Sequence, residues 1–268
     1  MSENFDIIII GGGIAGTSAA LTAMNRGKRT AVIANPMESE SLYKAEKITN
    51  YPGLAGLSGR EMSELLRRQL EGSGAKLIRG RALNVMDMGG SFGVAVGNDF
   101  YEAKAVILAL GITREKLYPG EAEFLGRGVS YCATCDGMLY KGKNVALIGN
   151  NREAYDDADF LRSIGCNVLH FRENLRYEIR GGMKADTLIA RGEEHPVDGV
   201  FIIKDSISVS KLMDGLEYEN GAIVTKRDMS TSIPGVYACG DCTGKPYQLA
   251  KAAGEGNIAA LSACEYVK

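Results

Sequence analysis

The stretch FDIIIIGGGIAG, residues 5–16, decides the fold of this chain. FDIIII has the composition of a buried strand, and it runs into a glycine turn. TSAALTAMNRG, residues 17–27, continues as a helical stretch that closes at Gly27, and KRTAVIA, residues 28–34, follows as the next strand. Together these segments predict a βαβ unit with parallel strands.

The glycines of this stretch fit the pattern G-x-G-x-x-G at Gly11, Gly13 and Gly16. In such a turn the first glycine makes the bend, the second lets the backbone approach a pyrophosphate, and the third packs helix against strand. We therefore predict dinucleotide binding by Gly11, Gly12, Gly13, Ile14, Ala15 and Gly16. The acidic residue expected for the ribose is missing, since the second strand ends at Ala34 and Asn35, which weakens an assignment of NAD.

Length, composition and charge limit the possible partners. The chain has 268 residues, 45% of them hydrophobic, with 34 glycines and a net charge of -2. This composition suits an α/β protein, and the charge provides no basic field for nucleic acid or anionic lipid, so neither nucleic acid nor membrane is expected as a partner. The N-terminus shows no cationic leader, and its apolar run breaks at glycine, so we expect a cytoplasmic protein.

Further along the chain the pattern continues to alternate between helix and strand. The predicted segments are a helix over 60–73, strands within 75–88 and 91–110, a loop-like linker over 112–128, a strand over 143–150, a helix to about residue 163, strands at 166–171 and 199–203, and a helix over 249–266. Only about thirty residues separate Phe171 from the next apolar strand. That is too short for a complete doubly wound half, so the second unit is expected to be small.

Two of the cysteines stand in CATCDG, as Cys132 and Cys135 followed by Asp136. A dithiol catalyst needs one thiolate to attack a partner disulfide, a second thiol to resolve the mixed disulfide, and a carboxyl group to move the proton. A zinc site would need the second C-x-x-C pair, Cys239 and Cys242, about a hundred residues away, whereas ribbon-type zinc sites space their pairs by about 15 to 20. We therefore favour redox chemistry and predict no metal.

The remaining cysteines and titratable side chains receive a simpler interpretation. Cys239 and Cys242 are most simply a pair of small buried thiols, and a second redox couple is the open alternative. Cys166 and Cys264 are expected in the core. No catalytic or metal role is assigned to His170 or His195, nor to a predicted solvated helix face at Asp156, Asp157 and Asp159.

Five segments together resemble the low-molecular-weight thioredoxin reductases. They are GGGIAG at 11–16, NYPG at 50–53, ILALG at 107–111, GRGVSYCATCDG at 126–137 and TSIPGVYACGD at 231–241. They occur in family order along nearly the whole chain, and CATCDG and the late P-G-V-Y-A-x-G-D are highly specific.

The resemblance implies FAD as the cofactor of the first glycine turn. The other implied FAD residues are Asn50, Gly111, Gly240, Asp241 on the ribityl chain and Gln248 near the isoalloxazine ring. Because the family also tolerates a non-acidic residue at the position of Ala34, the missing acid weighs less against a dinucleotide at this site.

The same resemblance gives roles to the cysteines and an order to the domains. It makes Cys135 the thiol beside the flavin, Cys132 the thiol that attacks thioredoxin, and Asp136 the acid. The implied fold is α/β with two Rossmann-like, three-layer domains. A discontinuous FAD-binding domain, residues 1–112 and 206–268, is interrupted by a shortened NAD(P)H-binding-like domain, residues 113–205, that carries the redox disulfide. A homodimer is also implied.

The inserted domain departs from family members that use NADPH. In VALIGNNREAYDDADFL, residues 145–161, Asn151 stands at the second glycine of G-x-G-x-x-A, where a side chain fills the space of the pyrophosphate. The next strand ends His170-Phe171-Arg172 where the family has His-Arg-Arg, so an arginine for the 2′-phosphate is lost. With the short chain after Phe171, these losses predict that the domain does not bind NADPH.

This pattern is similar to the ferredoxin-linked branch, the flavin thioredoxin reductases that take electrons from reduced ferredoxin. The expected path runs from reduced ferredoxin, or a similar one-electron carrier, through FAD and Cys132–Cys135 to thioredoxin. The docking surface should be locally basic, with Arg152, Arg172, Arg176, Arg180 and Lys184 as candidates, although interleaved acids fit an ordinary solvated surface equally well. The alternatives are an NADPH-dependent thioredoxin reductase with an atypical coenzyme site and a non-catalytic flavin-binding redox sensor.

Overall fold

The computed structural model describes residues 3–34, 42–43, 45–54, 56–111, 117–150, 152–172, 176–203 and 212–268. The chain divides into two compact units, one of Met1–Thr113 with Ser206–Lys268 and one of Arg114–Asp205. We call the first the discontinuous unit and the second the inserted unit. The assignment of FAD binding to the predicted ranges 1–112 and 206–268 stays a prediction.

Helices separate the first strands of each unit, and runs of consecutive strands follow. The strands are β1 (Glu3–Ile10), β2 (Thr30–Ala34), β3 (Lys76–Arg79), β4 (Ala82–Asp87), β5 (Phe92–Val96), β6 (Asp99–Leu108), β7 (Val129–Ser130), β8 (Asn144–Ile148), β9 (Asn167–Phe171), β10 (Tyr177–Gly181), β11 (Ala185–Ala190), β12 (Glu193–Pro196), β13 (Gly199–Ile202), β14 (Tyr218–Glu219), β15 (Ala222–Ile223) and β16 (Val236–Ala238). The α-helices are α1 (Ile14–Asn25), α2 (Gly59–Gly72), α3 (Glu121–Phe124), α4 (Ala133–Asp136), α5 (Arg152–Ser163) and α6 (Leu249–Tyr266). Short 3-10 helices cover Gly137–Tyr140 and Gly240–Thr243.

The discontinuous unit is built on a sheet with the order β3-β2-β1-β6-β5-β4, in which β16 also pairs with β6. The strands β3, β2, β1, β6 and β16 are parallel to their neighbours, and β4 and β5 add an antiparallel extension to the first part of β6. Because β6 pairs with β5 through its first residues and with β16 through its last, it joins the two parts of the sheet.

Alternation along β1 places its side chains on two faces of the sheet. Ile7 and Ile9 pack with α1, α2 and α6, whereas Ile8 and Ile10 pack with residues of β4, β5 and the segment near Leu212. Helices α1 and α6 approach closely, since a Cβ added to Gly256 would lie 2.1 Å from the Ala15 carbonyl oxygen. This unit therefore has three layers, with the parallel sheet in the middle.

The inserted unit repeats this arrangement on a smaller scale. Its parallel sheet has the order β7-β13-β8-β9, and β10, β11 and β12 form a separate antiparallel sheet. Val145 and Leu147 of β8 pack with α5, whereas Ala146 and Ile148 pack against the antiparallel strands. The predicted α/β class with two Rossmann-like, three-layer domains is confirmed.

Two local expectations need correction. The stretch after Phe171 forms the antiparallel strands β10 to β12, which the thin apolar pattern did not predict. The predicted loop-like linker contains α3, with Glu121 and Phe124 buried; Phe124 supplies the apolar contact that orders this segment, and residues 112–116 lie outside the described part. Within the described ranges, the structure has no helix with the length and apolar character that crossing a membrane requires.

Candidate functional site

The first glycine turn leaves no room for side chains at two of its positions. Gly11 has a φ of +114°, and a Cβ added there would lie 2.1 Å from the Ala109 carbonyl oxygen. A Cβ on Gly16 would lie 1.9 Å from the Gly11 carbonyl oxygen. Both positions therefore require glycine, the first for the turn and the second for the contact between α1 and β1.

The N-terminus of α1 begins directly after this turn. Gly13 is the N-cap residue, its backbone is extended, and no side chain of the described residues caps the helix. The first-turn residues carry no acidic group, so backbone N–H groups of Ile14 and Ala15 are available for an anion. A Cβ on Gly12 would lie 2.8 Å from the Ala34 Cβ, so the end of β2 borders the turn. Asn35 lies outside the described residues.

Three predicted site glycines follow the carboxyl ends of neighbouring strands. Gly11 follows β1, Gly111 follows β6 and Gly240 follows β16, and Leu108 of β6 is in register with both Ile10 and Ala238. Ligands of parallel α/β sheets bind at this edge. The structure thus brings together residues separated by more than 200 positions in the sequence.

A charged network fixes the turn that carries Asp241. The Lys251 ammonium donates to the carbonyl oxygens of Gly240 and Gly244, each at 2.9 Å, and pairs with the Glu255 carboxylate at 3.0 Å. The same carboxylate accepts from the Gly240 N–H at 2.9 Å and from Thr243 Oγ1 at 2.9 Å. Our sequence reasoning missed this pair, although two opposite charges four residues apart in the small-residue helix LAKAAGEGNIAA were a visible signal.

The remaining predicted residues of this site lie beside that turn. Burial raises the pKa of the Asp241 carboxyl, the nearby Lys251 ammonium opposes the shift, and Glu255 adds to it. Asn50 Nδ2 donates to Gln248 Oε1 at 2.8 Å, and Gln248 is the N-cap residue of α6. The glycine turn, the strand ends and this amide pair all belong to the discontinuous unit. That they hold a dinucleotide together stays a prediction.

In the inserted unit, Cys132 and Cys135 form a disulfide with an S–S distance of 2.10 Å. Cys132 is the N-cap residue of α4, and the Cys135 N–H donates to its Sγ at 3.1 Å. Cys132 is half-buried and Cys135 is exposed. Exposure in this structure therefore does not distinguish Cys132 as the attacking thiol, and that role stays a prediction.

Asp136 ends α4 and is held by a residue that our sequence reasoning missed. Ser130 Oγ lies 2.7 Å from Asp136 Oδ2 and donates to it. Ser130 is buried at the end of β7, two residues before the first cysteine. A hydroxyl at that place in an otherwise apolar strand was the available signal.

Two apolar side chains next to the disulfide face solvent. Met138 is 59% exposed and Leu139 is 70% exposed, both on the 3-10 helix that follows Asp136. Neighbouring apolar side chains that are exposed together are candidates for contact with another protein.

The other four cysteines are free thiols in buried positions. Burial raises the pKa of Cys242 to about 11 and raises that of Cys239 well above its ordinary value. Burial also raises the pKa of Cys166 and of Cys264. Because the thiolate is the reactive form, these side chains are poor nucleophiles at neutral pH.

The second glycine stretch retains its turn but has side chains at its edge. A Cβ on Gly149 would lie 2.7 Å from the Ile203 carbonyl oxygen, so this position requires a small residue. His170 Nε2 is 2.9 Å from the Gly149 carbonyl oxygen, and the Tyr155 ring packs edge-on against the His170 ring with centroids 5.0 Å apart. Asn151 lies outside the described residues.

Three further expectations concern surface charge and metals. Arg180 pairs with Glu178 at 2.7 Å and Glu194 at 3.7 Å, which makes it a weak candidate for attracting an acidic partner. Asp157 is only 8% exposed, so the predicted solvated face is wrong at that position, because Asp157 points toward the sheet side of α5. Among the described residues, no three histidine, cysteine or acidic side chains are grouped as metal ligands.

The sequence and the fold of this chain are similar to those of known proteins. Residues 5–182 and 169–256 match the family model described as pyridine nucleotide-disulphide oxidoreductase. The thioredoxin reductase of Treponema pallidum (strain Nichols) is 32% identical over 302 aligned positions, which cover 100% of this chain and 98% of that protein. The thioredoxin reductase of Bacillus subtilis (strain 168) is also 32% identical and covers 100% of this chain and 97% of its own. The crystal structure of a ferredoxin-flavin thioredoxin reductase from Clostridium acetobutylicum has a TM-score of 0.92 and 38% identity, covering 99% of this chain and 98% of that one.

Proposed function

We propose that this chain, which belongs to the pyridine nucleotide-disulphide oxidoreductase family and is a thioredoxin reductase flavoprotein, takes its electrons from reduced ferredoxin. In this proposal electrons pass from ferredoxin through FAD and the Cys132–Cys135 disulfide to thioredoxin. Thioredoxin is the acceptor that family membership gives, so the proposal concerns the electron donor.

The residues of the discontinuous unit fit FAD. Backbone at Gly11 and Gly16 admits no side chain, the α1 N-terminus offers uncapped N–H groups, and three strand ends meet at one edge. When bound, FAD supplies the conversion between one-electron and two-electron carriers. The residues proposed to hold it are Gly11, Gly12, Gly13, Ile14, Ala15, Gly16, Asn50, Gly111, Gly240, Asp241 and Gln248.

The inserted unit carries out the exchange with thioredoxin. In the reduced pair, the Cys132 thiolate attacks the thioredoxin disulfide and one thioredoxin sulfur leaves as a thiolate. Cys135 then attacks Cys132 Sγ, reforms the enzyme disulfide and releases the second thioredoxin thiolate, and both protons of the enzyme dithiol end on thioredoxin. The Cys135 N–H aimed at Cys132 Sγ stabilises negative charge on that sulfur once the disulfide opens, and Asp136 moves the proton.

The observation that carries the donor assignment is the end of β9, where Phe171 stands in place of an arginine that NADPH-dependent family members use for the 2′-phosphate. Its ring packs against the rings of Tyr177 and His195, with centroids 5.8 and 5.2 Å apart. Two comparisons support it. The ferredoxin-flavin reductase is more similar to this chain than the two curated thioredoxin reductases are, at 38% identity against 32%. The alignment with the Treponema protein runs over 302 positions, whereas this chain has 268 residues, so that relative has residues which this chain lacks.

Anaerobic absorbance of the oxidised flavoprotein tests the donor directly. NADPH and then NADH are added in excess, followed by reduced ferredoxin, with dithionite as the control that the flavin can be reduced. We expect no loss of flavin absorbance with either nucleotide and full bleaching with ferredoxin. Bleaching by NADPH within seconds would show that the second glycine stretch is a working coenzyme site and would overturn the proposal.

We also propose that the protein works in the cytoplasm, and as the homodimer that the resemblance to the reductase family implies. The mass of one chain is 28.7 kDa, so sedimentation equilibrium distinguishes a monomer from a dimer of twice that mass. A monomer at micromolar concentration would contradict the proposed assembly.

A further inference from the structure

Ser130 makes three close polar contacts beside the redox disulfide. Its Oγ is 2.7 Å from Asp136 Oδ2, 3.1 Å from the Cys132 N–H nitrogen and 3.2 Å from the Cys132 carbonyl oxygen. Its exposed fraction is 6%. A buried hydroxyl thus lies between the backbone of one cysteine and the carboxylate that follows the other.

The donor and acceptor roles in this cluster follow from hydroxyl chemistry. A serine hydroxyl has one hydrogen to donate and can accept from other donors. The Asp136 carboxylate is the nearer acceptor and forms the stronger, charge-assisted bond, so the hydrogen is directed to Asp136. The Cys132 N–H donates to the same oxygen. Ser130 therefore links Cys132 to Asp136 through one atom.

The backbone of Ser130 is itself firmly held. Ser130 pairs with Phe201 in the parallel register of β7 and β13, and Phe201 is fully buried. The next residue, Tyr131, donates its hydroxyl hydrogen to Glu121 Oε1 at 2.8 Å. Two neighbouring hydroxyl groups thus have different acceptors, and only that of Ser130 contacts the acid next to the disulfide.

We propose that Ser130 is a positioning residue for thiol–disulfide exchange, holding the Asp136 carboxylate against the C-x-x-C turn. This inference rests on the proposed function, in which Asp136 moves the proton. Asp136 is only partly buried, and without the hydroxyl its carboxylate is free to turn toward water. During the exchange the enzyme dithiol is oxidised and the thioredoxin disulfide is reduced, with two protons passing to thioredoxin. Ser130 keeps its own proton throughout and changes no bond.

A shape-matched pair of variants isolates the hydroxyl. Ser130→Thr keeps it and Ser130→Val replaces it by a methyl group of the same shape, while Ser130→Ala is a smaller change should both prove hard to fold. Tyr131→Phe is the control, since it removes the adjacent hydroxyl, which bonds Glu121. Asp136→Asn and Ser130→Val combined with Asp136→Asn complete a double-mutant cycle.

The exchange step is measured on the FAD-loaded protein without its electron donor. The dithiol is reduced with dithiothreitol, the excess is removed anaerobically, and the protein is mixed with oxidised thioredoxin over a range of concentrations. Acid quenching and alkylation then count the thioredoxin thiols formed. Flavin content and circular dichroism verify that each variant is folded.

We expect Ser130→Val to lower the limiting rate of exchange about tenfold. A positioned acid contributes roughly 10²- to 10⁴-fold to a rate, and the variant should lose a part of that contribution. The half-saturating thioredoxin concentration should not change. Ser130→Thr and Tyr131→Phe should keep the wild-type rate. In the Asp136→Asn background, Ser130→Val should cause no further loss. A full additional tenfold loss in that background, or a wild-type rate for Ser130→Val, would overturn the inference about Ser130 and leave the proposed function standing. A wild-type rate for Asp136→Asn would instead show that the proposed acid is wrong.

Discussion

Asn50 Nδ2 donates a hydrogen bond to Gln248 Oε1 across 2.8 Å, which joins two residues 198 positions apart in the sequence. This bond fixes the orientation of the Gln248 amide, because its oxygen faces Asn50 and its NH₂ group is left for another acceptor. Both residues are proposed to lie at the flavin. The bond is therefore expected to set which hydrogen-bonding group Gln248 presents to the cofactor.

Asn50→Asp should reverse that arrangement. A carboxylate can only accept, so the Gln248 amide must turn its NH₂ group toward residue 50 and present its oxygen to the cofactor. We expect FAD affinity to fall about three- to tenfold, the effect of about one hydrogen bond, and the visible flavin spectrum to shift. Fluorescence of released FAD measures the affinity. Asn257→Asp is the matched control, since Asn257 lies on α6, the helix that Gln248 caps, but bonds Thr22 Oγ1; equal losses for both variants would contradict this role of Asn50.

Asp241→Asn is predicted to separate stability from cofactor binding. Burial raises the pKa of this carboxyl above its ordinary value near 3.8. An acid whose pKa is higher in the folded state stabilises the fold below the unfolded-state pKa, and that contribution is lost as pH rises through the folded-state pKa. At neutral pH the charged carboxylate is therefore unfavourable in the FAD-free protein, and the amide variant should have the higher Tm.

Asp241→Asn should raise the Tm of the FAD-free protein but weaken the binding of FAD. The Tm advantage of Asp241→Asn without FAD should shrink as pH falls toward 4, where the wild-type carboxyl takes up its proton. With FAD, the variant should bind at least about tenfold more weakly, because it loses a charge-assisted hydrogen bond. Differential scanning fluorimetry with and without FAD measures both effects. A Tm difference independent of pH would contradict the charge argument.

The six cysteines should separate into two reactive and four unreactive thiols. Burial raises the pKa of Cys239, Cys242, Cys166 and Cys264, whereas in the redox pair Cys132 is half-buried and Cys135 is exposed. In folded, dithiothreitol-reduced protein at pH 7, N-ethylmaleimide should add rapidly at two positions, identified by peptide mass spectrometry as the CATC cysteines. Guanidinium chloride should expose all six. In oxidised protein alkylated without dithiothreitol, a peptide containing a disulfide between Cys239 and Cys242 would instead support the second redox couple.

The sequence predicts most of the sheet and α6 because their signals are local. Residues 249–266 read as a helix and form one with the same ends, and the FDIIII strand becomes β1, extended by two residues at its start. The sequence pattern did not predict β10, β11 and β12, and the reason is physical. These strands are short and do not alternate strictly between buried and exposed residues. The burial of Ala185 and Leu188 comes from a cluster that includes residues of β8 and β13 in the other sheet.

The residues of the candidate site also divide into those that the sequence predicts and those that it does not. Glycine positions are predictable because backbone space alone determines them, as at Gly11 and Gly16. The partners of charged and hydroxyl groups depend on tertiary contacts. The bonds of Lys251 and Glu255 to Gly240, and that of Ser130 to Asp136, were therefore found only in the structure. Each of them acts on a residue that the motif had already indicated, such as Asp241 or Asp136.

Leu139 provides the sharpest test of where thioredoxin binds. It is 70% exposed three residues after Asp136 and four after Cys135, and contact with a protein partner would bury its side chain. Leu139→Ser removes that apolar surface without touching the disulfide. Loss of one such contact is worth about 1.5 to 3 kcal/mol when the side chain is fully buried, so KM for thioredoxin should rise at least about tenfold. Because the exchange chemistry is unchanged, kcat at saturating thioredoxin should stay at the wild-type value.

Met183→Ser is the matched control for this prediction. Met183 is 91% exposed in the same inserted unit, between β10 and β11, so the substitution removes a similar apolar surface away from the disulfide in sequence and in the sheet order. Steady-state reduction of thioredoxin, with the flavin kept reduced by an excess of donor, gives KM and kcat for both variants. A rise in KM for Leu139→Ser alone places the docking surface next to Cys135. An equal rise for Met183→Ser would mean that thioredoxin contacts the antiparallel sheet as well, and no change in either would exclude the 3-10 helix from the docking surface.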